Sequence, residues 1–159
     1  MKSKLQITGK AFAALPVLVL LSPLACLGIG QARYVETTAS EGSFAIVQAG
    51  ETANLYVDSS DHAGVVRVVN DLQADIKRVT DRTAAVTHDK GSPGRRAIIV
   101  GTVGKSGLVD QLVSSGKIDL TPIAGKWESF FVQVVPQPLP GVDSALVIVG
   151  SDLPRGRWQ

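Results

Sequence analysis

Residues 97–106 read Ala-Ile-Ile-Val-Gly-Thr-Val-Gly-Lys-Ser, and this stretch decides the fold class. The continuous apolar run at 97–100 is typical of a strand that is covered on both faces of a sheet. Gly101 to Lys105 turns the chain, Ser106 predicts the N-cap of a short helix, and Gly116 predicts its end. A buried strand that leads through a tight turn into a helix is the repeating unit of layered α/β folds.

A longer helix is predicted before this stretch, over residues 62–80, with Ser59, Ser60 and Asp61 presenting its N-cap. Its apolar side chains recur at spacings of three and four residues, so they share one helical face and are expected to be buried. They are Val65, Val68, Val69, Leu72, Ile76 and Val79. The side chains expected to point inward from the short helix are Leu108, Val109, Leu112 and Val113.

Two apolar runs at 44–47 and 53–57 flank the turn Gly50-Glu51 and predict a β-hairpin. The residues between the long helix and the central run, 83–96, contain glycine and proline and are predicted to form a loop. No helical or strand periodicity is visible there, so no element is expected between the long helix and the buried strand.

Two further strands are predicted at 130–135 and 145–149, separated by a segment rich in proline. The second of these runs is fully apolar, like 97–100, which indicates a second central strand. The predicted order is β-β-α-β-α-β-β. We therefore expect an α/β, or layered α+β, domain over residues 43–152, in which one small mixed sheet is covered by two helices.

The chain has 159 residues, which suits one domain and falls short of the ~250 residues of a catalytic (β/α)₈ barrel. Its net charge of +2 depends on Lys2, Lys4 and Lys10, because the other residues carry 13 basic and 14 acidic side chains. Neither a basic patch nor interleaved aromatic residues are visible, so nucleic acid is not an expected partner.

Residues 1–32 read as a secretory signal peptide: a basic start, an apolar run at 11–29, and the small residues Gly30 and Ala32 before a cleavage site. Export to the periplasm or the extracellular space is therefore expected, with residues 33–42 as a flexible lead-in segment. An uncleaved membrane anchor is the alternative, because the run approaches the ~20 residues that span a bilayer. Pro16 and Pro23 disfavour such a spanning helix.

Cys26 is the single cysteine of the chain and raises the alternative of a lipid anchor. Pro23 stands three positions before it, where a lipobox normally has leucine, so lipoprotein anchoring is not expected. If the signal is removed, the mature chain contains no cysteine, which excludes both disulfides and cysteine-bearing metal sites.

Gly104, Lys105 and Ser106 form the sharpest candidate site, because Gly-Lys-Ser also ends a phosphate-binding loop. That loop needs four residues between its glycines, whereas two separate Gly101 from Gly104, so nucleotide binding is not expected. A helix start beside a lysine still leaves an anion, such as a sugar carboxylate, as a candidate ligand. Trp127 is a second candidate, either stacking on a sugar ring or packing at a sheet edge.

The remaining ionisable groups predict neither a catalytic centre nor a cofactor or metal site. Asp71 and Asp75 lie one helical turn apart, but Arg67 and Arg78 are spaced to pair with them on a solvated face. The two histidines, His62 and His88, accompany no nucleophile turn and no further strong metal ligands.

Six phrases fit one pattern in their order and spacing: Ser-Phe-Ala-Ile at 43–46, Asn-Asp-Leu-Gln-Ala-Asp-Ile at 70–76, the stretch 98–106, Gly-Lys-Ile-Asp at 116–119, Gly-Lys-Trp-Glu-Ser-Phe at 125–130 and Ala-Leu-Val-Ile-Val-Gly-Ser-Asp at 145–152. Together they resemble the N-terminal domain of glycoside hydrolase family 115, the xylan α-1,2-(4-O-methyl)glucuronidases. The resemblance covers nearly all of the mature chain.

The resemblance implies a small α/β domain that precedes a (β/α)₈ barrel, and the barrel carries the carboxylates that release glucuronic or 4-O-methylglucuronic acid from xylan. The implied partners are that barrel and a glucuronoxylan substrate. After Asp152 the chain reads Leu-Pro-Arg-Gly-Arg-Trp-Gln at 153–159 and departs from the family pattern, as the end of a shifted or prematurely stopped reading frame would. No catalytic residue of the family is carried over, so the chain is expected to be inactive alone.

The alternative is a secreted module that binds a carbohydrate or another partner.

Overall fold

The computed structural model describes residues 35–38 and 40–151. The predicted signal peptide, Cys26 and the tail 153–159 lie outside the described residues, and the lead-in segment 33–42 lies partly outside them. Within the part that is described, neither helix has the length and apolar character needed to cross a membrane.

The described residues form seven strands and two helices, in the order β1 (Val47–Gln48), β2 (Glu51–Thr52), β3 (Asn54–Tyr56), α1 (Ala63–Thr80), β4 (Val86–Thr87), β5 (Arg96–Thr102), α2 (Gly107–Ser114), β6 (Phe130–Pro136) and β7 (Ser144–Gly150). Strands β1 and β2 pair only with each other, and the other five form one sheet in the order β4-β3-β5-β7-β6. In that sheet β6 is antiparallel to its neighbour and all other pairs are parallel. The predicted α/β class with a small mixed sheet is confirmed.

Alternate residues of the central strands enter two different cores. Ala97 and Ile99 pack with Val109 and Leu112 of α2. Ile98, the residue between them, packs in a cluster with Val69 and Ile76 of α1. Because successive side chains of a strand point to opposite faces, the two helices cover opposite faces of the sheet. The apolar run at 97–100 is buried on both sides, as expected from its composition.

The chain leaves the sheet in opposite directions after β3 and after β5. From β3 it passes through α1 to β4, on one side of β3, and from β5 through α2 to β6 and β7, on the other side of β5. The carboxyl ends of β3 and β5 therefore flank a topological switch point, where open α/β sheets form a crevice.

The predicted hairpin between 44–47 and 53–57 is wrong in its pairing. Val47 pairs with Thr52 across a turn formed by Ala49 and Gly50, which both have positive φ. Two central residues with positive φ form the type I′ turn that joins twisted antiparallel strands, so the hairpin is tighter than predicted. The second apolar run instead contains β3, which pairs in parallel with β5.

The prediction of a loop throughout 83–96 is also wrong, because residues Val86–Thr87 form β4. Leu55 is the partner of Val86 in the parallel pairing with β3. A two-residue strand is too short to show the alternation of apolar and polar residues that marks a strand in the sequence. Here the strand is created only by its tertiary pairing with β3.

Two of the six apolar side chains expected inside α1 are exposed: Val68 at 57% and Val79 at 83%. The buried line runs instead through Val69 and Ile76, so Val68 and Val79 lie about 90° away around the helix. The predicted N-cap is wrong as well. Helix α1 begins after His62, which makes no capping bond with its side chain.

Helix α2 begins and ends at the predicted residues. The hydroxyl oxygen of Ser106 accepts the Val109 N–H at 3.3 Å, as an N-cap does. Gly116, with φ +68°, directly follows the C-cap and allows the left-handed turn that ends the helix. Val109 and Leu112 are fully buried, whereas Val113, which was expected inside, is 40% exposed.

We predict that Val69→Ala lowers the free energy of unfolding by about 2 kcal/mol, because it removes two buried methyl groups and leaves a cavity. Val79→Ala in the same helix should change it by less than about 0.5 kcal/mol, since that side chain is exposed. Chemical denaturation of the full chain followed by circular dichroism measures both. Equal losses in the two variants would contradict the assignment of the buried face.

Candidate functional site

The switch point at the carboxyl ends of β3 and β5 is the first place where a ligand site is expected in this fold. Two carboxylates from the loop after β3 occupy it, Asp58 and Asp61, and both are buried, with exposed fractions of 8% and 7%. Burial of a carboxylate is costly unless hydrogen-bond donors surround it. The end of β5 and the start of α2 supply most of those donors.

Asp61 binds the end of β5 with both carboxylate oxygens. Its Oδ2 accepts the backbone N–H of Thr102 at 2.8 Å, and its Oδ1 accepts the hydroxyl of Thr102 at 2.7 Å. The N–H of His62 donates to the same Oδ1 at 2.7 Å. Three donors on one carboxylate offset its desolvation, and they hold the loop before α1 against the end of β5.

Asp58 binds the start of α2. Its Oδ2 accepts the hydroxyl proton of Ser106 and lies 3.5 Å from the N–H of Leu108, while its Oδ1 lies 3.1 Å from the hydroxyl of Tyr56. Burial, followed by the charge of Asp58, raises the pKa of Tyr56 well above its usual range. Tyr56 therefore stays protonated and serves as a hydrogen-bond donor.

A third carboxylate, Asp89, joins the loop after β4 to the loop after β3. It accepts the N–H of Ser59 at 2.9 Å and the hydroxyl of Ser59 at 2.8 Å and 2.9 Å. The backbone hydrogen bond from Ser59, followed by that of its side chain, lowers the pKa of Asp89. The hydroxyl of Tyr56 also lies 2.6 Å from the carbonyl oxygen of Asp89, so the three loops form one connected network.

In this network the protein's own side chains and backbone N–H groups occupy the crevice at the switch point. The N-terminus of α2, where a doubly wound fold commonly holds an anion, receives the carboxylate of Asp58. Gly101 lets the start of α2 pack closely against β5, because a Cβ there would lie 2.7 Å from the Cβ of Ser106. Among the described residues, every buried side-chain nitrogen and oxygen has a hydrogen-bond partner. The buried polar side chains of the crevice therefore hold its loops together.

The candidate residues predicted from the sequence lie at this same edge of the sheet. Gly104 is exposed with φ +71°, Lys105 is half-buried, and Ser106 is fully buried with its hydroxyl donating to Asp58. Trp127 is 53% exposed and precedes β6. Strand β7 lies between β5, which leads to Gly104, and β6, which follows Trp127.

The sequence-based search missed the buried carboxylates. Asp58 follows an apolar run directly and Asp61 comes three residues later, and carboxylates at the end of a buried strand are a usable sign of a site at that edge. Asp61 was instead interpreted as a helix cap. The sequence also predicts ion pairs on the solvated face of α1. Asp75 and Arg78 form such a salt bridge. The four charged residues of this face are all exposed: Arg67, Asp71, Asp75 and Arg78.

Within residues 40–151, no element covers an apolar surface on the α1 side of the sheet. In β6, the alternate residues Phe130, Val132 and Val134 lie opposite Gly150, Ile148 and Leu146 of β7. Phe130 is 74% exposed and Val132 is 51% exposed, and the other apolar members are half-buried. We call this surface the open face; it consists of Phe130, Val132, Val134, Leu146 and Ile148. Helix α1 lies over β3, β4 and β5 and leaves it accessible.

An open cleft of about 680 Å³ lies among the described residues at the opposite edge of the sheet. Two of its arginines are already bound. Arg95 pairs with Asp143 at 2.8 Å, and Arg96 donates to Gln48 and to backbone carbonyl oxygens. No group of three or more histidine, cysteine or acidic side chains suited to a metal ion occurs among the described residues.

No model of a known protein family matches the chain, and no curated protein matches it. The function is therefore inferred from the closed crevice, the open face and the resemblance of the sequence phrases.

We predict that Asp61→Asn lowers the free energy of unfolding by roughly 3 kcal/mol, because the amide NH₂ would face the N–H of Thr102, donor against donor. Asp75→Asn is the matched control. Its ion pair with Arg78 is exposed, so the loss should be at most about 0.5 kcal/mol. Denaturant unfolding of both variants checks this, and a small loss for Asp61→Asn would contradict the clamping role of that carboxylate.

We predict that Ser59→Ala raises the pKa of Asp89 toward its ordinary value, because the hydroxyl that donates to the Asp89 carboxylate is removed. Since the pKa of Asp89 is lower in the folded chain, its stabilisation is present above ~3.9, the unfolded value, and is lost as the pH falls through the folded value. Carboxyl NMR titration at acid pH measures the pKa, with Ser60→Ala as control. An unchanged pKa of Asp89 in Ser59→Ala would refute the assignment.

Proposed function

We propose that residues 43–152 form the non-catalytic leading domain of an exported glycoside hydrolase that resembles the xylan α-1,2-glucuronidases of family 115. The closed crevice carries this proposal. The position at which an open α/β sheet ordinarily binds its ligand is taken by Asp58 and Asp61, whose donors are the protein's own groups. A domain built in this way serves as a rigid structural unit beside a separate catalytic part.

The chemistry of glycoside cleavage supports a non-catalytic role. Hydrolysis normally needs two carboxyl groups that flank the glycosidic bond, one to protonate the leaving oxygen and one to act as nucleophile or base. Asp58 and Asp61 are buried and bound by internal donors, so neither reaches a sugar ring. In the proposed intact enzyme the barrel supplies both carboxylates and binds the glucuronoxylan.

The open face supports packing against a larger neighbour. A contiguous apolar surface rimmed by polar residues commonly marks an interaction site. The N–H of Ser151 donates to the carbonyl oxygen of Ser129 at 2.8 Å, so the last described residue lies beside the start of β6. Polypeptide that continues from Ser151 would begin at the corner of the open face formed by Phe130. The proposed occupant of that face is the catalytic barrel.

We predict that the full chain releases no uronic acid from glucuronoxylan, while the coding DNA beyond the codon for Gln159 encodes a barrel-length stretch in one of its three frames. Chromatographic detection of free uronic acid and resequencing of the locus test the two halves. Release of uronic acid would overturn the non-catalytic assignment, and the absence of any such frame would overturn the place of this domain in a longer glucuronidase.

A secreted module for acidic sugars is the second candidate, favoured by the exposed ring of Trp127 at the edge that also carries Lys105. Titration with aldouronic acids, followed by tryptophan fluorescence, separates the two functions. The structural role predicts no saturable change. A saturable change that disappears in Trp127→Phe but persists in Trp158→Phe would favour the binding module, since these are the two tryptophans of the chain.

A further inference from the structure

The two edges of the five-stranded sheet differ greatly in length. Strand β4 forms one edge with two residues, and β6 forms the other with seven. An unpaired edge offers N–H and C=O groups to another strand, and proteins usually protect long edges with charge, proline or a bulge. Strand β6 reads Phe-Phe-Val-Gln-Val-Val-Pro, contains no charged residue, and has its proline only at the last position.

No strand among the described residues pairs with the outer edge of β6. Its pairing with β7 is continuous from Phe130 to Pro136, without a bulge in the register. The backbone is therefore extended over its whole length and suited to accept a further strand. By these criteria β6 has the features of an edge that pairs with another chain.

The sequence of β6 is apolar on both sides of its middle residue, Gln133. In an antiparallel pair of two such strands centred on Gln133, Val132 lies opposite Val134, and Phe131 opposite Val135. Apolar residues then meet apolar residues throughout, and the two glutamine amides meet at the centre. Because the strand is uncharged, no like charges oppose the pairing, so a second copy of this chain fits the edge.

We propose that β6 pairs with β6 of a second copy of the chain, antiparallel and about a two-fold axis at Gln133. The two five-stranded sheets then form one continuous ten-stranded sheet. This pairing uses the backbone edge of β6, whereas the proposed function uses the open face, so the two proposals stand independently. The contact is narrower than a standard interface of about 1,600 Å², and the dimer should dissociate in the micromolar range.

Sedimentation velocity of the full chain between about 1 and 200 μM tests the dimer. Wild type should shift from monomer to dimer, and Val132→Lys should weaken association at least tenfold, because it places two charges near each other in the joined sheet. Val79→Lys is the matched control, since Val79 is also exposed and apolar but lies on α1. Its association should equal that of wild type, and both variants should keep the wild-type circular dichroism spectrum.

Cross-linking tests the register. In a Cys26→Ser background, Gln133→Cys places the two thiols on the two-fold axis, with Cα atoms about 4.5 to 5.5 Å apart, which suits a disulfide. Mild oxidation should yield a covalent dimer of Gln133→Cys and little of the control Val79→Cys. A wild-type chain that is monomeric throughout, equal association of the Val132→Lys and Val79→Lys variants, or equal cross-linking of the two cysteine variants would each overturn the proposal.

Discussion

The hydrogen bonds from Thr102 to the buried carboxylate of Asp61 are the constraint on which the rest of the structure depends. A buried carboxylate is tolerated only where donors replace its water, and here the end of the central strand provides them. The bonds fix the loop before α1 on the end of β5. Asp58 does the same for the start of α2, so the two helices on opposite faces of the sheet are positioned by one polar network.

This network also determines where the domain can interact with other molecules. The switch point is the usual ligand site of an open α/β sheet, and here its donors are already used by Asp58 and Asp61. The surfaces that we propose for partners lie elsewhere among the described residues: the open face on the α1 side of β6 and β7, and the uncharged edge of β6. Both proposals therefore place this domain in an assembly.

The errors of the sequence-based predictions share one physical cause, which is that distant segments decide local roles. Asp61 has the right residue type and position for a helix cap, but Thr102, 41 residues away, supplies better donors, so its carboxylate turns toward β5. Val68 and Val79 have helical spacing, yet the sheet beneath α1 covers a narrower stripe centred on Val69 and Ile76. Strand β4 forms only because Val86 pairs with Leu55 along the outer edge of β3.

The sequence by itself determined the elements whose stability is local or nearly so: the long helix from its period, the short helix from Ser106 and Gly116, and the buried strands from their continuous apolar runs. From these the α/β class follows, because such elements bury their apolar faces only in layers. Only the tertiary structure decided the strand order, the closure of the crevice and the apolar side chains left uncovered. These features depend on which segments meet across the sheet. Contacts between residues far apart in the chain produce no repeating pattern of apolar residues in the sequence.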